Sequence, residues 1–135
     1  MSIRITLTKK VRKVMQDGIR VVLLVDDDPQ VAPILSAYIS QKGGIFLSAT
    51  DVVEGWEVFE KNRDVVSLVI IRVGLKGSLH FVQLLRGTAD YEGKIMAKSG
   101  LPVRREPFMK PGLCDCETDG PDLLPKIREA LGWTE

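Results

Sequence analysis

The sequence predicts a single α/β domain, with a parallel sheet between two helical layers as a three-layer α/β/α sandwich. Three observations point there. First, Arg20-Val-Val-Leu-Leu-Val25 and Val65-Val-Ser-Leu-Val-Ile-Ile71 are nearly unbroken apolar runs. A strand with one wet face alternates; an unbroken run suits a strand buried on both faces. Second, the stretches between them place apolar residues at helical spacing. Third, strand and helix signals alternate along the chain, as in βαβ units with right-handed crossovers.

The first strand, over 20–25, ends abruptly in Asp26-Asp27-Asp28-Pro29. An acidic cap followed by proline is a good helix start, so Asp28 is expected as N-cap and Pro29 as the first helical residue. That helix runs to about Gln41, with Val31, Ile34, Leu35, Tyr38 and Ile39 on one side, until Gly43-Gly44 stops it. A second strand covers 45–49. Thr50 or Asp51 caps a second helix, with Val53, Trp56, Val58 and Phe59 expected in the core. The third strand covers 65–71, and a loop with Gly74 and Gly77 leads into a third helix over 78–86. A short fourth strand over 95–97 ends at Lys98-Ser99-Gly100. Phe108-Met109 reads as a fifth strand, and 123–131 as a closing helix with Pro125 near its start.

Ahead of this lies an N-terminal extension, 1–18, leaving 19–135 as the domain. Within the extension Ile3, Ile5 and Leu7 alternate with polar residues. Lys9 to Gln16 has the pattern of a short basic helix with Val11, Val14 and Met15 on one side, broken by Asp17-Gly18.

The composition is that of a globular domain: 135 residues, 44% hydrophobic and 27% charged, enough to bury a core. A net charge of +1 predicts no general attraction to nucleic acid or anionic membrane. No apolar run approaches the roughly 20 residues of a membrane span. No signal-peptide pattern precedes the first strand, so a cytoplasmic protein is expected. Cys114 and Cys116 are too few for a disulfide framework.

In an open parallel sheet, ligands bind beyond the carboxyl ends of the strands. There the sequence places Asp26, Asp27 and Asp28, then Arg72, Ser99, and Lys110-Pro111. Clustered carboxylates need a cation among them, and either a divalent metal or Arg72 supplies it.

This ordered set resembles the receiver domains of the response regulators in two-component signalling, over roughly 20–131. The resemblance implies a five-stranded flavodoxin-like sheet of order 2-1-3-4-5. It implies Asp26 and Asp27 as magnesium ligands and Ser99 as the switch hydroxyl. Lys110 would be the phosphoryl-contacting lysine, before a Pro111 expected to be cis. Leu68-Val-Ile-Ile71 resembles the strand that delivers the phospho-accepting aspartate, and Arg72 stands at that place. Lys76 stands where a proline is usual. The short stretch from Ser99 to Lys110 predicts a fourth helix shortened or missing, as in the receivers of hybrid sensor kinases, and Gly112 to Gly120 reads as an insertion.

Arg72 therefore suggests a pseudo-receiver, not phosphorylated on aspartate, with its guanidinium paired to Asp27 or Asp26. Such a module is not an enzyme and needs no cofactor; Mg²⁺ binding at Asp26 and Asp27 is weakened by the added positive charge. Its partner is a protein, such as a sensor kinase or output protein, or a second copy in a homodimer. Val31, Ile34 and Leu35 on the first helix offer one docking face. Two rivals are a Mg²⁺-dependent phosphatase using Asp26 and Asp28, and a conventional receiver whose acceptor has moved to Asp64. His80 reads as a surface or partly buried residue, Trp56 and Trp133 as packing residues. Cys114 and Cys116 read as reduced thiols in an acidic loop.

Overall fold

A computed structural model of the chain describes residues 18–133; the strand and helix signals expected within 1–17 lie outside the described residues. The elements are β1 (Val21–Val25), α1 (Val31–Gln41), β2 (Ile45–Ala49), α2 (Val52–Asn62), β3 (Leu68–Arg72), α3 (Ser78–Gly87) and β4 (Lys94–Lys98). A one-turn α4 (Pro102–Arg105) follows and runs into a 3₁₀ turn (Glu106–Met109), then β5 (Cys116–Thr118) and α5 (Leu123–Leu131). The five strands are parallel, in the order β2-β1-β3-β4-β5. The predicted fold class is therefore the observed one.

Strand alternation divides the core between the two faces of the sheet. Val21, Leu23, Val25, Val69 and Ile71 face α2 and α3, meeting Val58, Phe59, Phe81, Val82 and Leu85. Val22, Leu24, Leu68 and Ile70 face α1 and α5, meeting Leu35, Ile39, Leu123, Ile127 and Leu131. Every residue of β1 is fully buried, which explains its unbroken apolar run. Each such aliphatic side chain contributes on the order of 2 kcal/mol.

Local signals hold with small shifts. Asp51 caps α2, its carboxylate accepting the Glu54 N–H at 2.8 Å, while Glu54 reaches back to the Thr50 N–H at 2.8 Å. This is a variant of the reciprocal capping box. Helix α1 starts at Val31, two residues after Pro29, because Asp28 first caps a turn by accepting the Gln30 N–H at 2.9 Å. Gly55 lets α2 lie close on the sheet: a Cβ there would sit 2.9 Å from a Val25 methyl carbon. Trp56 packs against Phe59 and Phe81, and Trp133 meets Tyr38 edge-on, as packing residues should.

Several expectations are corrected. Val53 is 69% exposed and not a core residue. Arg72 ends β3 and does not begin a loop, because its backbone pairs with Lys98 of β4. Phe108-Met109 is a 3₁₀ turn, not the fifth strand. Phe108 is apolar because that turn tucks it into the core. The true β5 lies inside the stretch taken for an insertion, Gly112 to Gly120, so that stretch is part of the fold. No peptide bond among the described residues is cis, so Lys110-Pro111 is trans. The fourth helix is indeed shortened, to a single α-turn and a 3₁₀ turn.

Candidate functional site

Register fixes what meets at the carboxyl edge of the sheet. Val25 pairs with Ile71, which puts the next residues, Asp26 and Arg72, at one level. Arg72 pairs with Lys98, and Lys98 with Thr118. One row across the sheet thus reads Asp26, Arg72, Lys98, Thr118.

Asp26 is the buried member; its side chain has no solvent exposure. Its Oδ1 accepts the Asp28 backbone N–H at 3.0 Å. Its Oδ2 lies 3.0 Å from the Lys98 ammonium, an ion-pair contact away from hydrogen-bond alignment. Lys98 is itself only 14% exposed. A carboxylate removed from water this completely needs an opposite charge close by, and Lys98 provides it. Arg72 stands 3.9 Å from Asp26 Oδ1, and its Nη1 donates to Asp27 Oδ1. That second pair is half exposed on both sides. Asp27 and Asp26 are the partners expected for Arg72. The third aspartate, Asp28, turns its carboxylate to the Gln30 N–H and joins neither pair.

Two carboxylates therefore face two cations. The arrangement does not fit a divalent metal. Such an ion needs several free oxygen ligands, and both aspartates already face cations. Among the described residues no group of three His, Cys, Asp or Glu side chains could hold a metal ion.

Ser99, the expected switch hydroxyl, is one residue beyond this row. Its Oγ accepts the Leu101 N–H at 3.2 Å, and its own N–H donates to the Thr118 carbonyl at 3.1 Å. Thr118 occupies the fifth-strand end, where its hydroxyl donates to Asp122. That bond holds the Asp122 carboxyl below its usual pKa. Lys110 and Pro111 are exposed, with Lys110 closing the 3₁₀ turn. The lysine at the aspartate is Lys98, at the end of β4. Asp64 lies just before β3, at the opposite end of the sheet from Asp26, and His80 is exposed on α3.

Sequence reasoning missed Lys98 and Thr118. Lys98 was read only as part of a strand-end tripeptide. The signal was its place directly after the apolar Ile95-Met-Ala97, which makes it the terminal residue of that strand. An open cleft of about 260 Å³ lies beside the row, between Asp28, Arg72, Lys98 and Arg104.

No protein-family model matches the chain, and no curated protein matches it either. Solved structures do. The chemotaxis response regulator CheY4 of Vibrio cholerae superposes with a TM-score of 0.72 at 20% identity, covering 83% of this chain and 98% of that one. A two-component response regulator from Clostridium difficile gives 0.71 at 16% identity, covering 84% and 97%. The BeF3-activated N-terminal receiver domain of Klebsiella pneumoniae RstA gives 0.63 at 21% identity, covering 83% and 98%. Strand order, layer arrangement and these likenesses agree: the chain has the fold of the response regulator receivers.

Proposed function

We propose that this chain is a receiver-like module of two-component signalling that works by protein–protein contact and is not phosphorylated on aspartate. One observation carries the reading: Arg72 ends the strand next to β1, at the level of Asp26, with its guanidinium on Asp27. An acyl phosphate forms when a carboxylate oxygen attacks phosphorus. A guanidinium stays protonated and has only donors, so it has no lone pair to attack with. Arg72 is instead a fixed cation where phosphoryl chemistry would need an anion. Lys98 balances Asp26 in the same way. The module is then held in one charge arrangement without Mg²⁺ or another cofactor.

The partner on this reading is a sensor kinase, an output protein or a second copy of the chain, in the cytoplasm. No helix among the described residues is long and apolar enough to cross a membrane. The hydrolase reading with Asp26 and Asp28 has less support, because Asp28 is committed to its own turn and Asp26 to Lys98.

The test is incubation of the protein with acetyl phosphate and Mg²⁺, followed by intact mass, and with beryllofluoride, followed by fluorine NMR. The expected result is no phosphoryl adduct and no bound fluoride resonance. A stoichiometric adduct, or a bound resonance lost in Asp26→Asn, overturns the reading.

A further inference from the structure

The sheet has two edges, and the sequence guards only one. β5 closes one side with three residues, Glu117 at its centre and Asp115 and Asp119 just beyond its ends. Short length and charge are the usual protection of a strand edge against pairing with another chain. β2, the outer strand on the other side among the described residues, has neither. Ile45-Phe-Leu-Ser-Ala49 is as long as β1 and pairs with it in unbroken register, from Val21 opposite Ile45 to Val25 opposite Ala49. It holds no charge, no proline and no bulge.

The pairing with β1 fixes which backbone groups turn outward. The Ile45 N–H donates to the Arg20 carbonyl at 2.9 Å, and the Ala49 carbonyl accepts the Asp26 N–H at 3.0 Å. Successive residues of a strand turn their backbone groups to opposite sides. Ile45, Leu47 and Ala49 therefore face β1, and the N–H and C=O groups of Phe46 and Ser48 face outward. These groups are symmetric about Leu47. An antiparallel copy of β2 sets Phe46 against its Ser48, Leu47 against its Leu47 and Ser48 against its Phe46, which closes about four hydrogen bonds.

The surface around this edge is also nearly free of charge. From Pro29 to Thr50 the only charged side chain is Lys42, where the chain's 27% would give about six. Lys42 turns back over the Tyr38 ring at 5.8 Å, and Tyr38 meets Trp133 after α5, so this charge lies on the α5 side of α1. Pro33, Ser36, Ala37 and Ser40 make an exposed, uncharged stripe at helical spacing, round the helix from Tyr38. Charge thereby selects the occupant. A twofold contact sets a surface against itself, so a charged edge repels its own copy, and a neutral edge does not. Depletion of charge is also what marks the centre of an interface.

We propose that β2 pairs antiparallel with β2 of a second copy, joining two five-stranded sheets into one across a twofold axis at Leu47. The uncharged stripes of the two α1 helices then lie on the same face of the joined sheet. The contact has about a dozen residues a side, below the roughly 20–30 of a standard interface, so the dimer is weak. Its dissociation constant is on the order of 100 µM. A second copy is one of the partners proposed above. The contact uses none of the Asp26 row, so its test stands apart from the phosphorylation test.

The experiment is sedimentation of the full chain from about 10 µM to 1 mM, with amide hydrogen exchange followed over the same range. The expected result is a mass rising toward that of a dimer, with the Phe46 and Ser48 amides becoming protected as it rises. Ser48→Pro removes an outward N–H and leaves the ladder to β1 intact, as an edge position allows. It should raise the dissociation constant at least about tenfold. Ala37→Glu puts like charges on the exposed stripe and should act in the same direction. If Ser48→Pro unfolds the chain, Ala37→Glu decides. A monomer at 1 mM overturns the proposal, as does a dimer that neither substitution weakens. Protection of the Phe46 and Ser48 amides that is independent of concentration in a monomer also overturns it, because it assigns the edge to the same chain.

Discussion

Lys98 at the end of β4 holds its ammonium 3.0 Å from the Asp26 carboxylate of β1, reaching across the strand that lies between them. The pair sits almost wholly out of water, with Asp26 unexposed and Lys98 at 14%. It joins two strands that share no hydrogen bonds, so it reports on the assembly of the whole carboxyl edge.

Removing one partner of such a pair leaves a buried charge without its counter-charge. Lys98→Met should therefore destabilise the protein by about 3 kcal/mol or more. Asp26→Asn in the same chain should restore much of the loss, because the stranded charge is then gone. Urea unfolding of the two single variants and the double variant gives the coupling directly. Additive losses would mean that the two side chains do not act as a pair.

Arg72 behaves differently because its pair with Asp27 is half exposed. Arg72→Ala should change stability by less than about 1 kcal/mol. Arg72→Asp does more to the chemistry: it removes a cation and puts a third carboxylate at the level of Asp26. Calorimetric titration should then show Mg²⁺ binding in Arg72→Asp that is weaker or missing in the parent. Equal titration curves would count against Arg72 as the cation that replaces a metal.

Lys110 is the control for Lys98. It is exposed at the end of a 3₁₀ turn. Lys110→Ala should leave stability within about 0.5 kcal/mol of the parent. A loss as large as that of Lys98→Met would put Lys110, not Lys98, at the carboxylates.

High pH should weaken the fold before low pH weakens this part of it. Burial pushes the Cys114 thiol from 9.0 up to about 12, with the nearby Arg86 opposing the rise. Burial likewise raises Tyr91 above its ordinary 10.0, and Cys116 above 9.0. All three are neutral when protonated, so the folded state holds their protons to higher pH than the unfolded state does. Their contribution to stability is complete below about pH 9 and is lost as pH rises from there toward 12. Denaturant midpoints measured from pH 8 upward should fall, and Cys114→Ala should soften the slope. Within the same range, Cys114 should react with a thiol reagent only at the rate of opening.

The sheet was legible where burial is complete. β1 and β3 are buried nearly throughout, so hydrophobicity alone marked them. The acidic run and Arg72 followed directly, because both stand at the ends of those strands. β5 was misread for a physical reason. It is three residues long at the edge of the sheet, and only one of the three is buried. Phe108 and Met109, beside a Lys-Pro, gave a stronger apolar signal without forming a strand. The correct signal was alternation: Cys114, Cys116 and Thr118 alternate with the acidic Asp115, Glu117 and Asp119, and Cys114 and Thr118 are buried where Asp115 and Asp119 are exposed. Placing the strand there would also have moved the search for a lysine from Lys110 to Lys98. No local pattern announces that pair, because it depends on the register of three strands.

One arginine holds the approach to this short last strand and a second holds the strand itself. Arg86 of α3 donates to Asp115 at 2.7 Å, and to the carbonyls of Leu113, Tyr91 and Gly93 at 2.9, 2.8 and 2.7 Å. Arg105 donates to Glu117 at 2.8 Å and to the Ser99 carbonyl. The residues between Ser99 and Arg105 are exposed. The covalent link there should therefore matter less to β5 than the two arginines do. A chain nicked by a protease at Leu101 to Arg104 should stay in one piece as two keyed fragments, which makes this turn the natural split point of the molecule.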